Sequence, residues 1–361
     1  MNVIERLGWR IESRADVRTS TRTICIALAL ACAALVCSLL FLAAGASPIA
    51  AFRSLLQGAF GSWRANTDTL VKSTPLIFTG LATAVAFRAR LWNIGAEGQV
   101  FAGAMFAYWC QHGLAGLPPL IQLPVVILGA LAGGGLYAGL AAVLKTRFRV
   151  DEVISTVMLN YIIVYALSML LLKGPWSEAG GFFEQTAKVD PGSILPVLFD
   201  KSRLHLGFLV AIAATAAVHI MMTRMPMGFE IRAAGSNLRA LEVQGTSKAR
   251  VVLAIMVISG ALAGLAGMTE VYGVHERLKA GAITGYGYTG IIVAILGQLN
   301  PWGVALAAIL FGALVNGATY MQIKTGVPSA LIFAIEAIFL LFYLAGRAAA
   351  SFRLRRITRA H

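Results

Sequence analysis

The chain has 361 residues, of which 58% are hydrophobic and only 13% are charged, whereas a soluble globular chain carries roughly a quarter of its residues as charged side chains. Its 30 Lys and Arg residues outnumber its 16 Asp and Glu residues and give a formal net charge of +14. The basic residues gather in short loops and at both ends of the chain, with no basic stripe interleaved with aromatic residues, so this charge does not indicate a nucleic-acid-binding protein. The composition excludes an ordinary soluble domain and predicts an all-α integral membrane protein.

Apolar segments close to the ~20 residues that a helix needs to cross a bilayer follow one another along the chain. The first runs from Ile24 to about Gly45; it is longer than the apolar region of a signal peptide, so we expect it to remain as a span. Nine more spans are predicted, at about 69–87, 97–112, 120–144, 153–172, 204–222, 251–272, 288–299, 302–320 and 328–346. The predicted fold therefore has about ten transmembrane helices.

Two of these segments, 97–112 and 288–299, are too short to cross the bilayer alone as straight helices. Each is bordered by Gly and polar residues. A broken or re-entrant helix is tolerated in a bilayer only where it packs within protein or lines a cavity. We therefore expect broken helices in both places.

Basic residues indicate the orientation of the helices. Arg6, Arg10, Arg14, Arg18 and Arg22 recur every four residues before the first span. They either hold the N-terminus in the cytoplasm or form the basic face of a helix on the membrane surface, and both interpretations place the N-terminus inside.

The remaining basic clusters agree with this orientation if the number of spans is even. Ten spans place all of them on the cytoplasmic side, and the C-terminus with them. The predicted organisation is a basic cytoplasmic segment at 1–23, a transmembrane domain at 24–346 and a basic cytoplasmic tail at 347–361. Within the transmembrane domain, 173–203 is the main external loop and 223–250 is a cytoplasmic loop.

Two nucleotide-binding patterns were considered. Gly285, Gly287 and Gly290 have the spacing G-x-G-x-x-G of a dinucleotide-binding loop, but no apolar strand precedes them and no acidic residue follows about 20 residues later. A flexible entry to a short membrane helix is the better interpretation. The phosphate-loop pattern G-x-x-x-x-G-K-[ST] is absent, so ATP energy must come from a partner.

The cytoplasmic loop 223–250 has the pattern of two short helices. A first helix is followed by a break near Gly235 and by a second helix that Asn237 caps and Gly245 ends. An ordinary solvated loop would not be expected to contain these helix-breaking and helix-capping residues. A helix pair on the cytoplasmic face is a suitable contact through which a separate ATPase subunit could move the membrane helices.

The residues Arg232-Ala233-Ala234-Gly235-Ser236-Asn237, followed by Ala240 and Gly245, are similar to the cytoplasmic coupling loop of ABC importer permeases in the ribose, branched-chain amino acid and nucleoside group. The stretch Leu91-Trp92-Asn93-Ile94-Gly95-Ala96-Glu97-Gly98-Gln99 resembles the intramembrane signature of the nucleoside and simple-sugar branch of that group. The resemblance covers about residues 70–345. It implies that the following residues couple the chain to an ATPase: Gly228, Arg232, Ala233, Gly235, Asn237, Ala240 and Gly245.

Polar residues inside apolar spans are candidates for the translocation path: Asn93, Glu97, Gln99, Asn160 and Asn316. Such side chains are costly in lipid unless they face a cavity or satisfy one another. For Glu97, contact with solute and bonding of backbone groups at a helix break are equally consistent with the sequence. For Asn160 and Asn316, hydrogen bonding between helices is an alternative to a role in the path. Glu336, an isolated acid in the last span, is expected to form a buried hydrogen bond.

The resemblance implies the permease subunit of an ATP-driven importer in the bacterial inner membrane, carrying a nucleoside or a simple sugar. A neutral polar solute agrees with the scarcity of intramembrane charges. The expected partners are an ABC ATPase subunit that binds ATP and Mg²⁺, a second permease subunit forming a heterodimer, and an external binding protein or lipoprotein. The chain itself is expected to have no catalytic residues, metal or cofactor, and to contact membrane lipid but not nucleic acid.

Two other classes of protein were weighed. A secondary transporter would need ionisable residues at the solute site, for which Glu97 and Glu336 are the candidates. An intramembrane enzyme would need a reactive motif, and neither HExxH nor GxSxG occurs. The importer permease is the prediction.

Overall fold

The computed structural model describes residues 9–13, 19–114, 116–172, 174–178, 180, 183–237, 245–279, 281–328 and 331–356. Its helices are α1 (Thr19–Ala43), α2 (Pro48–Phe60), α3 (Trp63–Arg88), α4 (Ala96–Gln111), α5 (Pro119–Phe148), α6 (Glu152–Leu172), α7 (Gly207–Arg224), α8 (Pro226–Ser236), α9 (Lys248–Glu270), α10 (Tyr286–Leu296), α11 (Pro301–Thr325) and α12 (Leu331–Ser351). A 3₁₀ turn forms at Pro191–Ser193, and a π turn at Val271–His275 extends α9. Two short strands, β1 (Trp9–Ser13) and β2 (Phe352–Arg356), complete the described elements.

Every predicted span coincides with a helix, and in the described part of the chain eight helices are long and apolar enough to cross a membrane. These are α1, α3, α5, α6, α7, α9, α11 and α12. The two segments predicted to be short are short, since α4 has 16 residues and α10 has 11. Helix α2 was not predicted, because its 13 residues carry charged and polar side chains among the apolar ones.

The N-terminal segment does not form the surface helix considered above, at least over residues 9–13. These residues form β1, which pairs antiparallel with β2 so that Trp9 lies opposite Arg356 and Ser13 opposite Phe352. Apart from this pairing and two isolated β-bridges, the described chain is built from helices and loops.

The chain divides into two compact units. One contains the chain up to Gly58 and from Gly317 onward, where α1 packs against α12. In this unit Gly346 is pressed against α1, because an added Cβ would lie 2.7 Å from the Cβ of Ala29. The other unit, Ala59–Asn316, holds α3 to α10 and the first part of α11, with α3 packed against α7, α8, α9 and α10.

Glycines bring α4, α5 and α9 into backbone contact within the larger unit. An added Cβ at Gly134 would lie 2.1 Å from the carbonyl oxygen of Gly260, and one at Gly264 would lie 2.2 Å from that of Ala130. A Cβ at Gly103 would lie 2.2 Å from the Cα of Gly264. Lipid provides no hydrophobic drive for helix association, so close packing between small residues must supply much of the stability. The small residues spaced four apart in α5 and α9 serve this packing.

The long loop 173–203 is fastened to the segment that follows α9. The backbone N–H groups of Thr186, Val189 and Leu195 donate to carbonyl oxygens of that segment at 2.9–3.0 Å. Glu178 forms an ion pair with Arg277. The loop is thus held by backbone pairing as well as by charge.

Asp190 fastens the same loop to the entry of α5. Its carboxylate accepts hydrogen bonds from Gln122 Nε2 at 2.9 Å and from the N–H groups of Gly116 and Gly192 at 3.1 and 2.8 Å. These donors, Gln122 first, hold the pKa of Asp190 below its ordinary value. The pKa of Glu178 is lowered as well, by hydrogen bonds from Arg277 and then Gln185.

Replacing Gly264 by Ala should destabilise the three-helix contact. The new methyl group would meet the carbonyl of Ala130 at 2.2 Å, and overpacking of this kind costs about 1–3 kcal/mol. Gly139→Ala is the matched control, because its Cβ would lie 3.4 Å from Val257 Cγ2, an ordinary contact. Thermal unfolding in detergent should give a lower midpoint for Gly264→Ala and an unchanged one for Gly139→Ala; equal midpoints would contradict the packing argument.

Acid should loosen the loop 173–203. Because the folded-state pKa values of Glu178 and Asp190 are lowered, the stability these carboxylates add is present above their unfolded pKa values and is lost as the pH falls through the lowered ones. Amide hydrogen exchange in the loop should therefore show less protection at about pH 3 than at pH 7 after correction for intrinsic rates. The double variant Glu178→Gln, Asp190→Asn should lose this difference, and an unchanged difference would refute the assignment.

Candidate functional site: a pair of broken helices joined by Glu97

The chain between α3 and α4 re-enters the helix bundle without helical structure. Amide side chains supply hydrogen-bond partners there. Asn93 Nδ2 donates to Gln99 Oε1 at 3.0 Å and to Ser259 Oγ at 2.9 Å, and Gln99 Nε2 donates back to Asn93 Oδ1 at 2.9 Å. Asn93 Oδ1 also accepts the N–H of Gly95 at 3.0 Å. Ser259 donates in turn to the carbonyl of Ala82 at 2.7 Å. Asn93 and Gln99 therefore connect α3, α4 and α9 at the break.

Glu97 joins the first turn of α4 to the start of α10. Its carboxylate accepts the N–H of Gly285, and its Oε2 accepts the N–H of Gly287 at 2.8 Å. The first N–H groups of a helix have no partner inside the helix and form the positive end of its dipole. Glu97 is 2% exposed and stands at the N-termini of both helices, where its oxygens accept N–H groups that have no partner inside the helix.

The glycines of the G-x-G-x-x-G pattern have structural roles at this junction. Gly285 has a φ of 99°, which an L side chain rarely adopts. An added Cβ at Gly287 would lie 2.2 Å from the backbone nitrogen of Glu97, and one at Gly290 would lie 2.5 Å from Thr79 Oγ1. The spacing thus allows α10 to approach α4 and α3, in agreement with a flexible entry to a short membrane helix.

Asn160, in the middle of α6, holds the break from another side. Its Oδ1 accepts the N–H of Gly98 at 2.8 Å, and its Nδ2 donates to the carbonyl of Ile94 at 3.0 Å and to Tyr288 Oη at 3.3 Å. The bonding alternative considered for Asn160 is therefore present in the structure. Four of the five predicted path residues, Asn93, Glu97, Gln99 and Asn160, meet at this junction.

The fifth, Asn316, is bonded at the start of α3. Its Nδ2 donates to the carbonyl of Ala65 at 3.0 Å and to Thr69 Oγ1 at 3.1 Å. These bonds fit the alternative of a hydrogen bond between helices. Glu336 lies on α12, but its side chain is outside the described part of the structure. A role of these residues in a path stays a prediction.

Sequence analysis overlooked Glu270, the last residue of α9. Its side chain is fully buried, and its Oε2 lies 3.3 Å from His275 Nε2. Glu97 and Glu336 were the only acids considered for ion coupling, and Glu270 is a third. An acid inside the predicted span 251–272 was the signal that could have identified it.

The predicted coupling segment contains a helix, α8, that ends at Ser236. Gly228 permits the tight turn from α7, because its Cβ would lie 2.2 Å from the carbonyl oxygen of Met221. Arg232, on the exposed side of α8, donates to the carbonyl of Met222. Ala233 is half-buried.

The end of the segment is described in part. Asn237 follows α8 as its C-cap, and Gly245 has a φ of 78°. Ala240 and the predicted second helix lie outside the described residues. In the described ranges, no group of three or more His, Cys, Asp and Glu side chains is placed to hold a metal ion.

Gly235 connects α8 to the end of α3. An added Cβ at Gly235 would lie 2.2 Å from the carbonyl oxygen of Arg88. The guanidinium of Arg88 donates to the carbonyl of Leu299 at 3.1 Å, beyond the end of α10. Helix α8 therefore touches Arg88, three residues before the Leu91–Gln99 stretch, and Arg88 is bonded to Leu299, three residues beyond the end of α10.

Comparisons with known proteins identify relatives over most of the chain. Residues 66–343 match the family described as "Branched-chain amino acid transport system / permease component". The guanosine ABC transporter permease protein NupP of Bacillus subtilis is 39% identical over 309 residues, covering 84% of this chain and 88% of the relative. The glucose ABC transporter permease protein TsgB13 of Haloferax volcanii is 34% identical over 336 residues, covering 90% and 86%.

A third relative, the nucleoside ABC transporter permease protein NupB of Lactococcus lactis, is 32% identical over 314 residues, covering 84% of this chain and 86% of the relative. No solved structure matches the chain.

Replacing Glu97 by Gln should destabilise the junction. Gln keeps one acceptor oxygen and turns an NH₂ group toward the N–H of Gly285 or Gly287, which leaves a buried donor unsatisfied at a cost of about 1–3 kcal/mol. Thermal unfolding of the purified protein should give a clearly lower midpoint. Asp68→Asn is the control, because Asp68 is a partly exposed acid that pairs with the exposed Arg64 and such pairs contribute little. If both variants unfold at the wild-type temperature, Glu97 does not hold the junction.

Proposed function

The chain belongs to this permease family, and we propose that it forms half of the membrane path of an ATP-driven importer that carries a nucleoside. It is a transport subunit and not an enzyme, and it is a multi-pass protein of the bacterial inner membrane. The observation that carries the proposal is the contact of Gly235 in α8 with Arg88 at the end of α3, next to the first broken helix. An importer must connect an ATPase on one side of the membrane to a solute path inside it.

The proposed topology has ten crossings with both termini in the cytoplasm. Two contacts support counting α4 and α10 as crossings. Near one membrane surface, Arg88 at the end of α3 donates to Leu299 after α10. Near the other, Tyr272 Oη donates to Gln111 Oε1 at the end of α4, next to the segment that fastens loop 173–203.

In this topology the non-helical residues 89–95 begin the crossing that α4 finishes, and residues 281–285 begin the crossing that α10 finishes. At 1.5 Å per residue, α4 and α10 are about 24 and 17 Å long, less than the ~30 Å of a hydrocarbon core. Their N-termini then meet at Glu97 inside the membrane. Discontinuous helices that meet near the midplane are a common way to build a transport site.

We propose that α8 receives the movement of a partner ATPase, which binds ATP and Mg²⁺. Closure of the ATPase would shift α8 and, through Gly235, the end of α3. The Leu91–Gln99 stretch and α10 would follow, because Arg88 and Glu97 bind them to each other. Such a link biases the path only if the nucleotide states favour different conformations of the permease.

The proposed solute is a nucleoside. The relatives NupP and NupB are named for guanosine and nucleosides. Glu97 is engaged by backbone N–H groups, so its carboxylate is not assigned to the solute. A simple sugar is the second candidate, since TsgB13 is named for glucose. The further partners proposed are an unlike second permease subunit that completes the path and an external binding protein that delivers the solute.

Gly235→Val should uncouple the importer. The side chain would push against the carbonyl of Arg88, so both guanosine uptake and its stimulation of ATP hydrolysis should fall at least about tenfold, the effect of a 1.4 kcal/mol change. Uptake would be measured in cells that express the chain with its own ATPase, second permease and binding protein. Gly113→Val is the matched control, because nothing lies within 4 Å of its added Cβ.

Membrane insertion and complex assembly of each variant would be measured in parallel. Wild-type uptake that persists without the ATPase and follows the proton gradient would overturn the proposal. The buried acids Glu97 and Glu270 would then be the residues to test.

A further inference from the structure

Three tyrosines lie exposed beside the broken-helix junction. Tyr161 is 55% exposed, Tyr165 is 70% exposed and Tyr288 is 41% exposed. Tyr161 and Tyr165 are four residues apart on α6, so they share one face of that helix. Tyr288, in the first turn of α10, is joined to the same helix by the hydrogen bond that Asn160 Nδ2 donates to its Oη at 3.3 Å. We call these three residues the tyrosine face.

The tyrosine face lies at mid-depth in the proposed membrane. Helix α6 runs from Glu152 to Leu172. At 1.5 Å per residue, Tyr161 lies about 14 Å from the first residue and about 17 Å from the last. Tyrosine in membrane proteins is enriched at the two water interfaces, where its hydroxyl is wet. The exposure of Tyr161 at this depth is therefore not explained by anchoring at the membrane surface.

The hydroxyl groups of this face have unused hydrogen-bonding capacity. Asn160 Nδ2 donates to Tyr288 Oη, so the phenol proton of Tyr288 remains available to donate elsewhere. Within the described ranges, neither Tyr161 nor Tyr165 makes a side-chain hydrogen bond. Polar groups facing lipid at this depth would remain unsatisfied. The face is better matched to a water-filled path, and it is continuous with the junction through Asn160.

We infer that the tyrosine face contacts the nucleoside as it passes through the membrane. The inference rests on the proposed function and names the part of the path that recognises the solute. The flat rings of Tyr161 and Tyr165 offer stacking surfaces for a nucleobase, which every base accepts through its π face. The Tyr288 hydroxyl donates a hydrogen bond to a base nitrogen, a base carbonyl or a ribose oxygen. The flexible side chains of Met158 and Met169, exposed on the same helix, fit rings of different size.

Cysteine accessibility tests the inference directly. Tyr161→Cys would be introduced into a chain whose native cysteines are replaced by Ala: Cys25, Cys32, Cys37 and Cys110. The assembled importer would be treated with a charged methanethiosulfonate reagent, which modifies only thiols that water reaches. Leu310→Cys is the control, because Leu310 is an exposed apolar residue in the middle of α11. We expect modification of Tyr161→Cys, slowed at least about threefold by saturating guanosine and unaffected by glucose, and no modification of Leu310→Cys.

Every other result overturns the inference. An unmodified Tyr161→Cys would mean that lipid or the second permease subunit covers the face. Modification that neither solute slows would mean a wet surface without solute contact. Protection by glucose alone would assign the path to a sugar. ATP-dependent guanosine uptake by the importer with its native tyrosines is measured in the same preparations, so loss of the tyrosine site is distinguished from failure of the proposed function itself.

Uptake by paired variants distinguishes the contribution of the tyrosine ring from that of the tyrosine hydroxyl. Tyr161→Ala should lower guanosine uptake about tenfold, as expected when a base loses one stacking partner, whereas Tyr161→Phe keeps the ring and should stay within about twofold of wild type. Tyr288→Phe should reduce uptake while leaving the amount of assembled complex unchanged. Equal uptake by the Ala and Phe variants of Tyr161 would exclude stacking.

Discussion

The structure depends on how the backbone is satisfied where two membrane helices are interrupted. In a hydrocarbon core no water is present to bond free N–H and C=O groups, so an interruption must bring its own partners. Asn93 and Gln99 bond each other and neighbouring backbone at the first interruption. Glu97 then uses its two oxygens to bind the start of the second broken helix. One buried carboxylate thus links the two interruptions to each other.

Close packing makes this junction mechanically connected to the rest of the larger unit. Glycines at the contacts of α4, α5 and α9 place backbone against backbone, and an interior packed in this way deforms little, so displacement of one helix is passed to its neighbours. The same property explains the glycine pattern at the start of α10, which resembles a nucleotide-binding loop in spacing only. Its glycines remove side chains where α10 approaches Glu97 and Thr79.

The position of the junction accounts for the proposed control of an intramembrane path by a partner ATPase. Helix α8 touches the end of α3 through Gly235, and Arg88 at that end binds the chain beyond α10. A push on α8 is therefore applied at the residue from which the interrupted segment starts. The tyrosines on α6 and α10 stand at the other side of the same junction, where Asn160 joins them to the broken helix. The proposed coupling helix and the proposed solute contact are in this way connected through a few hydrogen bonds.

The sequence alone determined the class of the protein, because lipid requires long apolar helices and broken helices must be short and flanked by Gly and polar residues. All predicted spans and the short segments at α4 and α10 followed from that requirement, and the helix α8 followed from the break predicted near Gly235. Only the tertiary structure decided the partner of Glu97, since Gly285 and Gly287 lie 188 and 190 residues further along the chain and no local pattern encodes such a pairing. It also decided the burial of Glu270, the hydrogen-bond partners of Asn316 and the exposure of Tyr161. The physical reason is that the hydrophobic period of a helix records where lipid or core lies, whereas the partner of a buried polar group is fixed by the packing of whole helices.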